Sequence, residues 1–270
     1  MSLQIYHPCP PLDDYVEMMW HWENFSPPHS HERILPVGQP ELTFNLSGHH
    51  FSISERDVAS SPAIVVGCQS EYFVIETSRP TTLLSVLFKS GVTLDVFGLS
   101  AKELHNEIIT LDDLWFTESD GLYNLLMETP HVEMRFHILE TALLRKLRLN
   151  RKRHDAVDFA LTALTAESPL MSIADLQYEV ALSAPRFIQV FRDEVGFTPK
   201  LFSRLQRFHR VLDTIAASSH INWVDLALRT GYYDQSHLIN EFRKFAGISP
   251  TEYAPGSKEH NKNIPYPGKS

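Results

Sequence analysis

Two carboxamide side chains, Gln189 and Asn240, each carry a donor and an acceptor side by side. That pattern can make two hydrogen bonds to the edge of an adenine. Pro185, Arg186 and Ile188 stand close to the first amide, and Gln235, Ser236 and His237 close to the second. Ile188 or Pro185 can pack on a thymine methyl. Arg192, Arg243 and Lys244 follow, with positive charge suited to gripping phosphates, which positions a protein on a duplex without specifying sequence.

Such groups read bases only if rigid elements present them. Residues 172–199 and 222–250 resemble one another. Asp175 and Leu176 match Asp225 and Leu226, while Phe187, Phe191, Gly196 and Pro199 match Leu238, Phe242, Gly247 and Pro250 one residue further on. Each unit reads as helix, tight turn, helix. In the second, Asn222 caps a helix to Thr230, Gly231 ends it with a positive φ, and Asp234 caps a helix reaching about Phe245. In the first, Ser172 or Asp175 opens a helix to about Val180, and Ser183 caps a second from Ala184 to about Val195, with Pro185 in its first turn. Between the units, Thr198 and Pro199 start a helix to about Ala217 whose buried stripe is Leu201, Leu205, Phe208, Leu212 and Ile215. About 18 residues span roughly 27 Å, and successive major-groove segments lie about 34 Å apart. An ordinary helical domain uses the same pieces for packing alone; two in register on such a helix favour DNA.

At these residues the chain resembles the AraC/XylS family of bacterial transcription regulators. The resemblance covers about residues 152–255. It is carried by Asp225-Leu226-Ala227, Gly231-Tyr232, Asp234-Gln235-Ser236, Leu238, Phe242-Arg243-Lys244, Gly247, Ser249-Pro250 and Tyr253, and in the first unit by Ser183, Phe187, Phe191-Arg192, Gly196, Pro199 and Phe202, with Arg207 and Arg210 between. It implies a domain of two helix-turn-helix motifs joined by a long helix. By register and resemblance the DNA-binding residues are Pro185, Arg186, Ile188, Gln189, Arg192, Gln235, Ser236, His237, Asn240, Arg243 and Lys244. The first unit departs from the family at Gln177, where a small Ala is usual, and at Ala181, in place of the turn Gly. Ala in a left-handed conformation costs on the order of 1 kcal/mol, so that motif is expected to be re-angled.

The first half has another texture. Glu41 to Leu46 alternates polar and apolar residues, and Ala63 to Gly67, Tyr72 to Ile75 and Leu83 to Phe88 are short β-branched or aromatic runs between turn residues. From about residue 93 the pattern becomes helical. Val132, Phe136, Leu139, Leu143 and Leu147 form one stripe, which either packs on its own sheet or serves as a homodimer seam through 131–149. The expected class is α+β: a β-rich, barrel or cupin-like domain with flanking helices over 1–149, an all-α domain over 150–256, and a flexible tail over 257–270. Ile34 to Gly38, Glu41 to Leu46, Val66-Gly67, Phe88 to Gly91 and Leu111 to Leu114 also resemble the sensor domains of one AraC-type subgroup. That implies a small-molecule effector, dimerisation, or both. Trp20, Trp22, Arg33, Glu41 and Phe44 are the candidate ligand-binding residues, against the plainer reading that the aromatics only fill the core.

Charge alone would not suggest nucleic acid. The net charge is −9; residues 1–149 carry 9 basic against 20 acidic residues, whereas 150–256 carry 12 of each. Weak binding to random DNA is therefore expected. Neither metal nor cofactor is expected. In His29-Ser30-His31-Glu32, which resembles a cupin metal pattern, Glu32 directly follows His31 and would point elsewhere. Cys9 and Cys68 have no zinc spacing and do not complete the cysteine set of AraC-linked DNA-repair methyltransferases. Phosphate-binding and nucleophile-elbow glycine motifs are lacking too, so catalysis is not expected. The expected partners are double-stranded DNA, an effector and RNA polymerase, in the cytoplasm, with no membrane. The alternative is an enzyme, or a metal- or small-molecule-binding protein acting through the N-terminal domain, with the helical half regulatory.

Overall fold

The computed structural model describes residues 2–51, 53–54, 61–148, 152–166, 172–218, 220–253 and 263–266. Strands β1 (Ser2–Tyr6), β2 (Val16–Phe25), β3 (His31–Ile34), β4 (Glu41–Asn45), β5 (Ile53–Ser54), β6 (Ala63–Val66), β7 (Phe73–Glu76) and β8 (Thr81–Phe88) come first. After α1 (Thr93–Phe97), β9 (Ile108–Thr110) completes a six-stranded sheet ordered β1-β2-β8-β4-β6-β9. A four-stranded sheet, β10-β3-β7-β5, faces it; its outermost strand, β10 (Asn263–Pro265), comes from the far end of the chain. Within the stretch expected to be a flexible tail, these residues pair antiparallel with β3, and Ile264 is buried.

The period-two pattern divides the large sheet cleanly. Met19, Leu42, Phe44, Val65, Leu84, Val86 and Phe88 point to one face, where α2 (Leu111–Trp115), α3 (Thr117–Glu128) and α4 (Val132–Lys146) cover them. Phe136, Leu139, Leu143 and Leu147 lie in that core, so the α4 stripe packs on its own sheet. The seam proposed for a dimer is thereby occupied within the chain. Met18, Trp20, Trp22, Glu41, Thr43, Ile64, Leu83 and Leu87 point to the other face, toward the small sheet.

The helical part comprises α5 (Asp155–Thr165), α6 (Ile173–Glu179), α7 (Ala184–Val195), α8 (Pro199–Ala217), α9 (Trp223–Arg229) and α10 (Gln235–Ala246). Its core extends into the β-rich part through Leu35, Cys68 and Ala101, which are buried with Phe197, Leu205 and their neighbours. The Ala101 N–H donates to the Asp193 carbonyl at 2.9 Å, and His209 Nε2 lies 2.8 Å from the Pro36 carbonyl. The boundary expected at residues 149 and 150 lies outside the described residues.

Candidate nucleic-acid interface and effector cavity

The second motif folds as its caps dictate. The Asn222 carboxamide accepts from the Val224 and Asp225 amides at the start of α9, and the Asp234 carboxylate accepts from the His237 amide, 2.7 Å, at the start of α10. Gly231 turns the chain at φ +82°. Ala227 is fully buried where α9 meets α10, and Leu238, Phe242 and Phe245 pack against Phe208 of α8. With that face committed, Ser236, Asn240 and Arg243 stand exposed on the other, with Gln235 half-buried beside them.

Two expected DNA-binding residues already have other partners. His237 packs edge-on against Tyr232 at 5.3 Å, and its Nδ1 accepts from the Tyr233 amide at 3.3 Å. Lys244 donates to the buried Glu241 carboxylate at 2.8 Å, which also accepts from Arg204 Nε at 2.5 Å. Burial pushes the Glu241 carboxyl up, but the hydrogen bonds and charges of Arg204 and Lys244 outweigh it and hold the group below its ordinary range.

The first motif differs as its sequence departs. Ser172 and Asp175 form a reciprocal capping box on α6, but α6 stops at Glu179 with Val180 extended, and Ala181 is not in a left-handed conformation. The turn avoids the strain expected at Ala181 because Val180 is already extended where the equivalent Thr230 is not, so no left-handed residue follows. Ser183 sits extended before α7 but makes no side-chain capping bond. Phe187, Val190, Phe191 and Val195 are buried. Pro185, Arg186, Gln189 and Arg192 are exposed and Ile188 half-buried, and Arg186 donates to the Gln189 carbonyl oxygen at 3.1 Å, pre-orienting that amide.

α8 holds both motifs. Its Thr198 hydroxyl accepts from the Leu201 amide at one end, and three arginines one turn apart work as staples along its length. Arg204 binds Glu241, Arg207 donates to the Gly231 carbonyl at 2.7 Å, and Arg210 donates to the carbonyls of Leu164 and Ala166. The composition gave no sign of this division, in which α8 uses Arg204, Arg207 and Arg210 internally while Arg186 and Arg192 of α7 and Arg243 of α10 stand exposed.

Between the two sheets lies a cavity of about 270 Å³. Trp20, Trp22 and Glu41 line it. Phe44 does not: it is fully buried on the opposite face of β4, toward the helices. Nor does Arg33, whose guanidinium is sandwiched between the rings of Tyr72, 4.6 Å, and Tyr266, 5.0 Å, beside the helical part. One-residue alternation accounts for both corrections. Phe25, Val37, Phe51 and Phe73, which the sequence reading did not single out, also line the cavity. Their aromatic and β-branched types are the ordinary signal of any strand, so nothing marked them in advance. His29 Nε2 lies 3.3 Å from Glu32 Oε1, pairing two residues of the histidine-rich run with each other.

A helix-turn-helix domain family matches residues 177–255. The chain carries an AraC-type DNA-binding domain. Ahead of this AraC-type domain, residues 4–110 match a domain of unknown function, DUF6597. Among solved structures, the chain is similar to ToxT from Vibrio cholerae O395 bound to (E)-4-(8-methylnaphthalen-1-yl)but-3-enoic acid, with 11% identity, 94% of this chain and 98% of that one covered, and a TM-score of 0.48. ToxT from Vibrio cholerae strain SCE256 bound to an unsaturated fatty acid gives 10%, 93%, 94% and 0.46. An AraC-type regulator from Chromobacterium violaceum gives 22% identity over 36% of this chain and 87% of that one, with a TM-score of 0.32. No curated protein matches. Among the described residues, no helix is long and apolar enough to cross a membrane.

Proposed function

We propose that the AraC-type domain reads a specific operator with the N-terminal, outward faces of α7 and α10, and that the β-rich domain governs it by binding a small effector between its sheets. The observation that carries the reading is the common arrangement of the two helices. Each buries one face on α8 and leaves its amide, Gln189 or Asn240, exposed on the other. Amides supply base readout, while Arg192 and Arg243 supply phosphate contact. α8 has 19 residues, a length of about 28 Å, which suits helices set in successive turns of one groove.

The protein then acts at a promoter through RNA polymerase, in the bacterial cytoplasm. A homodimer through 131–149 would have to use the outer side of α4, where Met134 and Leu144 are exposed. An effector can act only by binding two domain arrangements with different affinity.

Selection of bound duplexes from a random pool tests the reading, using the full chain and a Gln189→Ala, Asn240→Ala double variant. The expected result is a motif of two blocks about 10 base pairs apart, lost in the variant. Failure of the wild-type chain to enrich any motif would refute it.

A further inference from the structure

The small sheet is a wall shared by the cavity and the helical part. Ile34, Phe73 and Ile75 of β3 and β7 turn one face of it toward the cavity. Their neighbours Leu35 and Tyr72 alternate to the other face, where Leu35 is buried in the helical core and Tyr72 packs against it. Tyr72 is seated on Gly247 at the end of α10. The residues after β3 extend that seat to α8. Val37 lines the cavity, while Pro36 and Gly38 on either side of it meet His209 and Leu205.

α7 rests on a different body. Gly196 at its end is seated on Cys68 and Ala101, which belong to the large-sheet side. The Cys68 carbonyl accepts from the Asn106 amide at 3.1 Å, and the Gly67 amide donates to the Glu107 carbonyl at 2.9 Å, just ahead of β9. The Ser70 amide donates to the Asn106 side chain at 2.7 Å. Two residues later Tyr72 is already on the small-sheet side, so the border between the two bodies falls between Ser70 and Tyr72. A small apolar cluster joins the sheets elsewhere, with Ile64 and Ile108 from the large one and Ile53 and Phe73 from the small one. Close-packed walls transmit strain rather than absorb it, so a molecule seated between the sheets bears on the seat of α10.

We infer that an occupant of the cavity acts by parting the two sheets, which shifts the second motif, carried with α8 and α10 on the small-sheet side, against the first, whose α7 stays with the large sheet. The change in DNA reading then falls on the block read by α10. The inference rests on the reading of this cavity as the effector site.

Side chains that fill the cavity stand in for the occupant. Ile75→Trp does so from the small sheet and Leu87→Trp from the large one. Operators are selected with the wild-type chain, and the single variants Gln189→Ala and Asn240→Ala assign one block to each motif. Affinities of the full-length chains are then measured for the wild-type operator and for duplexes with base changes in either block. Each tryptophan variant should change the affinity for the wild-type operator at least fivefold. The cost of a base change in the second block should shift at least threefold, and that in the first block should stay the same. Tyr72→Ala, which removes the seat on Gly247, should reduce the effect of either tryptophan to less than twofold. Circular dichroism and melting show which variants fold; the two tryptophans enter from opposite walls, so either one alone decides. Equal changes at both blocks would show that the β-rich domain moves as one body, and no change at either would show that the cavity does not reach the DNA. Both results overturn the inference and leave the base-reading proposal standing. A wild-type chain that enriches no motif would overturn both.

Discussion

Gly247, the residue that ends α10, lies so close to Tyr72 that a Cβ built on it would stand 2.5 Å from the tyrosine Cε1. Gly196 ends α7 in the same way, where a Cβ would stand 2.9 Å from Cys68 Cβ and 3.0 Å from the Ala101 carbonyl oxygen. Both glycines have positive φ, +69° and +89°. The C-terminal ends of the two helices that carry the candidate reading residues are therefore seated on the β-rich domain, while their N-terminal ends are exposed. A shift of that domain reaches both motifs at once.

Two glycine substitutions separate conformational strain from this close approach. Gly231 also has positive φ, but the nearest atom to its missing Cβ is Arg207 Cδ at 3.5 Å. Gly231→Ala should therefore cost only about 1 kcal/mol for the left-handed backbone. Gly196→Ala meets backbone and the Cys68 stem in addition, and overpacking adds roughly 1–3 kcal/mol. Denaturant midpoints should fall in the order wild type, Gly231→Ala, Gly196→Ala; equal effects would show that the domain contact yields freely.

Two histidines should make the protein acid-sensitive well above the carboxylate range. Burial lowers the pKa of His21, and the Arg135 charge lowers it further, with Arg135 Nη1 2.9 Å from His21 Nε2. Burial likewise lowers that of His105, with the Arg192 charge second, where its ring meets Phe197 edge-on at the domain contact. Below the unfolded value of about 6.5, the unfolded chain takes up protons that the folded chain does not. Stability is then complete above about pH 6.5 and falls as pH drops below it. A His21→Gln, His105→Gln double variant should flatten that limb in unfolding titrations between pH 5 and 7. An unchanged slope would mean that neither group titrates differently on folding.

Much of this organisation was legible in the sequence, and the reasons for what was not are local. The repeat placed α9, α10, α7 and α8 because Asn222, Asp234, Thr198 and Gly231 each have one economical local role, and the structure gives them those roles. The α4 stripe fitted both its own sheet and a partner, and periodicity alone could not choose between them. Phe44 and Arg33 were misplaced because a strand's two faces differ only by parity, and both faces here are apolar. Ala181 showed a departure from the family pattern but not its resolution, since an extended Val180 after α6 removes the need for a left-handed residue. The domain contact had a faint signal in Gly196 and Gly247, which serve equally well as ordinary helix ends.

Base-reading and phosphate-gripping residues should behave differently toward salt. Arg192→Ala or Arg243→Ala should weaken binding to all duplexes alike and reduce the slope of log affinity against log salt by about 0.9. Asn240→Ala should leave the slope unchanged and cost about 1–3 kcal/mol at one base pair of the operator. Because α8 uses Arg204, Arg207 and Arg210 internally, the wild-type slope should correspond to fewer than about eight phosphates per chain. A steeper slope would require cations beyond those placed on α7 and α10.

The pairing of β10 with the small sheet gives the last prediction. Ile264 pairs with Arg33 in the β10–β3 ladder and is buried in the helical core, and Tyr266 covers the Arg33 guanidinium opposite Tyr72. Burial lowers the Arg33 pKa, the mark of a cation removed from water between two rings. Ile264→Asp places a charge in that core and exposes one edge of β3. It should lower the melting temperature by several degrees, at about 2–4 °C per kcal/mol for a chain of this size. It should also speed hydrogen exchange of the β3 amides that face β10. The reading residues lie on the far ends of α7 and α10, so the operator selected from a random pool should keep the same two blocks. If the blocks keep their sequence but change their separation, the strand helps to fix the distance between the motifs, and the C-terminal residues belong to the mechanism by which the β-rich domain governs DNA binding.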